Sequence, residues 1–151
     1  MASPTGLTIQ GGRVMRKVEH PDFSKPDEVR TFGHGRAEIL NTSGGVIGRL
    51  VLEPGWRWSQ DVKPAAGTEW CEAPHFQYHV SGTIHVKMID GAEFDVGPGG
   101  LSSLPAGHDA WVVGNEPVVV VDFFGATNYA KVASRAASRQ SRQLAAAGAR
   151  S

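Results

Sequence analysis

The sequence predicts an all-β fold in a single domain. Three observations carry that prediction. Short apolar or alternating runs recur between turn signals about 8–12 residues apart, the spacing of a sandwich or barrel. Glycine (19) and proline (9) make up nearly a fifth of the 151 residues and fall between the runs as punctuation, not in one linker. No helical period appears before residue 126.

Residues 1–29 read as an N-terminal arm. The start is loose, and VEHPDFSKPDE (18–28) is loop-like, with two prolines. The domain proper spans 30–125. Its strand-like runs are GRAEIL (35–40), VIGRLVLE (46–53), HFQYHV (75–80), TIHVKMI (83–89), AEFDV (92–96), LSSLP (101–105), DAWVV (109–113) and PVVVVDFF (117–124). Most are rich in Val, Ile and aromatic residues, which suit a pleated, half-buried surface. The turn signals SGG, EPG, SG, DG, GPGG, PAG and GNEP separate them. From residue 126 the character changes. The stretch 126–151 is Ala-, Ser- and Arg-rich, with five basic residues and no acidic one. It has no apolar stripe, so a frayed helix or a disordered tail is expected.

A chain of this length supports one core and nothing larger. Its formal charge is zero, which argues against a polyanion binder as a whole, and no specific nucleic-acid partner is expected. The single cysteine, Cys71, excludes an intrachain disulfide and makes a reducing cytoplasm the expected compartment. No apolar run approaches the roughly 18–20 residues that cross a bilayer. The N-terminus lacks the basic and apolar halves of a signal peptide.

Between about Val46 and Phe124 the segments EPGWRW, KPAAGT, YHVSGTIHV, GPGGLSSLPAGHDAW and VVVVDF resemble the cupin superfamily. Gly55, Gly82, Gly99, Pro105 and Gly107 fall in register with that family's glycine and proline framework. The resemblance implies a cupin-type jelly-roll β-barrel holding a metal or small ligand, and a homodimer. The family's metal ligands are replaced. Asp61 and Lys63 stand where its first two histidines would be, His75 where its glutamate would be, Ala110 where its last histidine would be, and Gly114 where its asparagine would be.

Alternation along strands assigns the faces. Residues 75–80 and 83–89, taken as a hairpin turning at Ser81-Gly82, pair Val80 with Thr83, His79 with Ile84, Tyr78 with His85 and Gln77 with Val86. One face then carries His75, Gln77, His79, Ile84, Val86 and Met88. The other carries Phe76, Tyr78, Val80, Thr83, His85 and Lys87. The resemblance places position 75 inside, so His75, Gln77 and His79 are expected to line the cavity and His85 to point away. His108 shares a face with Ala110 and reaches the cavity mouth. Asp61 and Lys63 share a face expected to point inward, with Cys71 at the rim.

Imidazoles and a carboxylate in one cavity suit one divalent transition metal: Zn, Fe, Mn or Ni. The expected ligands are Asp61, His75 and His108. His75 and His79 lie i, i+4 on one strand, roughly 13 Å apart at about 3.3 Å per residue, too far to share an ion. Without a metal, His75, Asp61 and His79 form the expected catalytic set, with Asp61 orienting an imidazole that titrates near neutrality. Lys63, Gln77, Trp70, Trp111 and Met88 are the expected substrate contacts, and Cys71 is expected to be an unreactive thiol. The expected function is the binding and transformation of a small oxygenated metabolite by isomerase, cyclase, lyase or dioxygenase chemistry. The competing expectation is a non-catalytic ligand-binding or sensory module.

Overall fold

The computed structural model describes residues 17–130, together with the short antiparallel strands β1 (Ile9–Gln10) and β2 (Arg13–Val14). The remainder of the expected N-terminal arm, and the expected tail from residue 131 onward, lie outside the described residues. The other strands are β3 (Glu28–Phe32), β4 (Gly35–Thr42), β5 (Gly45–Leu52), β6 (His75–Ser81), β7 (Thr83–Met88), β8 (Glu93–Val96), β9 (Leu101–Leu104), β10 (His108–Val113) and β11 (Val118–Asp122). They form two antiparallel sheets, one ordered β3-β4-β5-β11-β6-β9 and the other β10-β7-β8. All eight expected runs are strands. The strand β3 was not anticipated.

The inner faces of the two sheets meet in one core. Ala37, Ile39, Leu50, Leu52, Val118 and Val120 come from the larger sheet, and Ile84, Val86, Met88, Val96, Ala110 and Val112 from the smaller. Full burial of a side chain of the Val, Leu or Ile type is worth about 1.5–3 kcal/mol, so this two-layer contact is the main support of the fold.

Two expectations about local structure are corrected. The first is the hairpin. β6 pairs with β11 and β9, whereas β7 pairs with β10 and β8, so β6 and β7 are not partners. The chain leaves one sheet for the other at Ser81–Gly82. Gly82 has φ +68°, and a Cβ there would stand 2.5 Å from the Pro117 carbonyl oxygen. A hairpin would have kept both inward faces in one layer; the corner sets them opposite each other, where each covers the other. The inward residues are still those expected, because the corner shifts the alternation by one residue. His75, Gln77 and His79 are buried before it, and Ile84, Val86 and Met88 after it.

The second correction concerns residues 57–67. Asp61 and Lys63 lie on two short helices, α1 (Trp58–Asp61) and α2 (Lys63–Ala66), not on an inward strand face. Helix starts leave backbone N–H groups without partners. Here Asp109 of β10 accepts from Ser59 N (3.0 Å) and Ser59 Oγ (2.9 Å), and Asp61 Oδ2 accepts from Arg57 N (2.9 Å). Pro64, in the first turn of α2, needs no N–H partner.

One further tie positions the site. Arg30 of β3 donates from Nη1 to the carbonyls of Ala126 (2.9 Å) and Tyr129 (2.6 Å), which fixes the segment after β11 against the sheet. Among the described residues, no helix is long and apolar enough to cross a membrane.

Candidate metal centre

Three buried side chains converge, Cys71 and His75 from just before and at the start of β6 and His108 from β10, more than thirty residues on. The backbone explains how. Cys71 precedes β6 and forms an isolated antiparallel bridge with His108, the first residue of β10; Cys71 N donates to His108 O at 2.9 Å. Directly opposed residues bring their side chains close together. His75 opens β6 on its inward face. One ligand atom from each residue lies within 4.8 Å of the others, and Cys71 Sγ is 3.7 Å from His75 Nε2.

Each imidazole is anchored through its other nitrogen. His75 Nδ1 meets Asp122 Oδ2 at 2.5 Å, and His108 Nδ1 donates to the Pro105 carbonyl at 3.2 Å. A carbonyl only accepts, so His108 carries its proton on Nδ1 and its lone pair on Nε2. Asp122 is held in turn by Gln77 Nε2 (3.3 Å) and by Phe124 N (3.0 Å). Metal-binding histidines characteristically have this carboxylate or carbonyl partner, which sets tautomer and orientation.

Burial governs the local electrostatics. The Cys71 thiol is pushed up to about 12, first by burial and then by nearby acidic groups. His108 is pushed down to about 4, first by burial and then by the His75 charge. The Tyr129 phenol is raised well above its ordinary value, mainly by burial. The Tyr129 ring stands edge-on to His75 at 5.4 Å, and His75 stands likewise to His108 at 5.2 Å.

Two spaces flank the cluster. Between the sheets is a cavity of about 20 Å³, bounded by Trp56, His75, Gln77, His108 and Tyr129 among apolar residues. On the other side an open cleft of about 780 Å³ runs over Trp58, Val62, Cys71, Phe123, Phe124 and Tyr129. Organic molecules therefore have room in the cleft and none between the sheets.

The structure brings together only part of the expected site. His75 and His108 meet, but Asp61 does not join them. Its carboxylate is engaged by His34 Nδ1 (3.1 Å) and Arg57 N, and Cys71 stands in its place. His79 is buried apart, with Nε2 2.9 Å from Ser102 Oγ, and burial lowers its pKa. Lys63 pairs with exposed Glu69 at 2.9 Å. Gln77 borders the inner cavity, and Met88 packs in the core. Trp70 and Trp111 are not among the residues bounding either space. Trp111 lies on the outer face, stacked on His85 at 4.4 Å and under Arg57 at 4.3 Å. Trp56 and Trp58 are the tryptophans beside the site. Asp122 and Tyr129 were not foreseen. Asp122 had a legible signal: it continues the inward parity of Val118 and Val120, where a charge needs a buried partner.

No family model matches the chain, and no curated protein matches it. Solved structures do. A protein of unknown function from Rhizobium leguminosarum is similar with a TM-score of 0.52 at 18% identity, over 70% of this chain and 94% of that one. The Cnp3 cupin domain of Schizosaccharomyces pombe is similar with a TM-score of 0.45 at 12% identity, over 64% and 68% of the two chains. An oxalate decarboxylase mutant from Bacillus subtilis is similar with a TM-score of 0.46 at 19% identity, over 68% of this chain and 29% of that chain. The present chain thus spans less than a third of that enzyme. The class is a small all-β protein of two packed antiparallel sheets, and at such identities the likeness is one of fold alone.

Proposed function

We propose that Cys71, His75 and His108 hold one divalent transition metal, and that the protein binds and transforms a small oxygenated molecule lying in the adjacent cleft. The observation that carries this reading is the convergence of three donor atoms within 4.8 Å, with both imidazoles anchored at their other nitrogen. The 3.7 Å separation of Cys71 Sγ and His75 Nε2 fits ligands at about 2.3 Å (S) and 2.0–2.1 Å (N) around one tetrahedral ion, which places them about 3.6 Å apart. Charge supports it as well. A divalent ion balances one thiolate and the Asp122 carboxylate, which is 1% exposed. The sulfur and imidazole donors favour zinc among the metals considered. Such an ion supplies Lewis acidity toward an oxygen of the bound molecule. The chain's own residues do the rest: Asp122 and Pro105 fix the imidazoles, and Trp58, Val62 and Phe124 give the open cleft an apolar wall.

A second reading rests on the His75–Asp122 contact, which is complete without an ion. Cys71, His75 and Asp122 then form a proton relay beneath the cleft, or the cleft only binds its ligand.

Elemental analysis of untagged protein prepared without chelators separates these readings. About one equivalent of metal, lost in Cys71→Ser and kept in His79→Ala, is expected. Substoichiometric metal, unchanged by Cys71→Ser, removes the metal centre.

A further inference from the structure

The cavity between the sheets contains a feature that the metal centre leaves unused. Trp56 is 3% exposed, and its Nε1–H has no hydrogen-bond partner among the described residues. A buried donor of this kind costs roughly 1–3 kcal/mol when it stays unsatisfied. Trp56 borders the inner cavity, as do His75, Gln77 and His108. The cavity's 20 Å³ exceeds the roughly 10–15 Å³ that one water needs, and a buried water takes two to four polar partners. The partners are at hand: one N–H donor on Trp56 and the imidazole of His108, whose lone pair is on Nε2, beside that of His75.

We propose that this cavity is a site for a single water-sized molecule, which accepts from the Trp56 Nε1–H and donates to the His108 Nε2 lone pair. Water fills it in the metal-free protein. In the metal-loaded protein the ion would take the two imidazole lone pairs, and a diatomic anion or similarly small molecule would compete for the place beside the Trp56 Nε1–H, while larger organic ligands are confined to the cleft over Cys71. The site itself requires no metal; only its behaviour in the loaded protein rests on the function proposed above. It makes Trp56 a positioning residue with a donor role, and it sets a size limit on what reaches the histidine side of the centre.

Two measurements test it. The first is a high-resolution crystal structure of metal-free protein. Ordered density within hydrogen-bonding distance of Trp56 Nε1, absent in Trp56→Phe, is expected, with a lower Tm for the variant. An empty cavity in the parent, or a higher Tm for Trp56→Phe, overturns the proposal, since removing a truly orphaned donor relieves a cost. The second uses cobalt-loaded protein and its thiolate-to-cobalt absorption. Cyanide should shift that spectrum and acetate should not, and Trp56→Phe should weaken cyanide binding about 10-fold or more, the worth of a hydrogen bond to a charged group. A shift with acetate, or equal cyanide affinity in Trp56→Phe, overturns the size limit and the donor role. If no cobalt binds, the metal centre falls, and the metal-free crystal decides the cavity by itself.

Discussion

The corner at Gly82 decides whether β6 and β7 face each other, and its stability contribution follows from the geometry. In Gly82→Ala the new Cβ meets the Pro117 carbonyl oxygen at 2.5 Å and the Val118 Cα at 2.8 Å. Both atoms are backbone at the start of β11, so no side chain can rotate away. Two costs add. A non-glycine residue in the left-handed region costs about 1–2 kcal/mol. Forcing an atom into a filled interior costs about 1–3 kcal/mol more. Gly99 has φ +81° and open space around a Cβ, so Gly99→Ala isolates the first cost at about 1 kcal/mol. Gly44 has neither problem, its nearest atom being 3.6 Å away, so Gly44→Ala should stay within about 0.5 kcal/mol. Urea unfolding at constant slope should therefore rank the three, with Gly82→Ala destabilised by about 3 kcal/mol, or roughly 10 °C in Tm. Equal losses for Gly82→Ala and Gly99→Ala would refute the packing argument for the corner.

Other expectations concern the site, acid stability and the surface. Asp122→Asn removes the negative charge beside His75 while preserving shape, so metal affinity should fall 10- to 100-fold with the fold intact, as followed by competition with a chromogenic chelator. Unchanged affinity would show that Asp122 does not orient a ligand. Burial lowers the His79 pKa, so the folded state keeps this imidazole neutral where the unfolded chain protonates it. The unfolded state then binds more protons, and stability drops as pH falls below about 6.5 toward the lowered value. His79→Gln should flatten that fall in acid titrations of stability; an unchanged slope would assign the acid sensitivity elsewhere. Phe76, Tyr78, Val80 and Leu101 are exposed on neighbouring strands. Covering of this face by a second copy predicts a dimer in sedimentation and a monomer for Tyr78→Lys, whereas a monomeric parent chain would remove that expectation.

Much of the strand plan was legible because it is local. TIHVKM alternates by itself, VVVV is a continuous β-branched run, and the glycine and proline turns mark their ends. The helices α1 and α2 were not legible, because each is one turn long. Their support comes from Asp109, fifty residues away from Ser59 in the chain. His75 and His108 could be singled out as inward histidines. Their partner could not, because Asp61 and Cys71 are equally acceptable ligands until the chain path is known.

Sequence by itself determined which residues of each strand share a face. Side-chain direction alternates with a period of two whatever strand lies alongside, so His75, Gln77 and His79 share one face and Ile84, Val86 and Met88 another, and the family resemblance with an assumed hairpin marked both as inward. Only the tertiary structure decided which strands are neighbours. A Ser-Gly turn serves a hairpin or a corner equally well, and the choice depends on what lies across the core. That choice brought Cys71 opposite His108 and Asp122 beside His75, because contacts between residues far apart in the chain are set by packing and not by alternation.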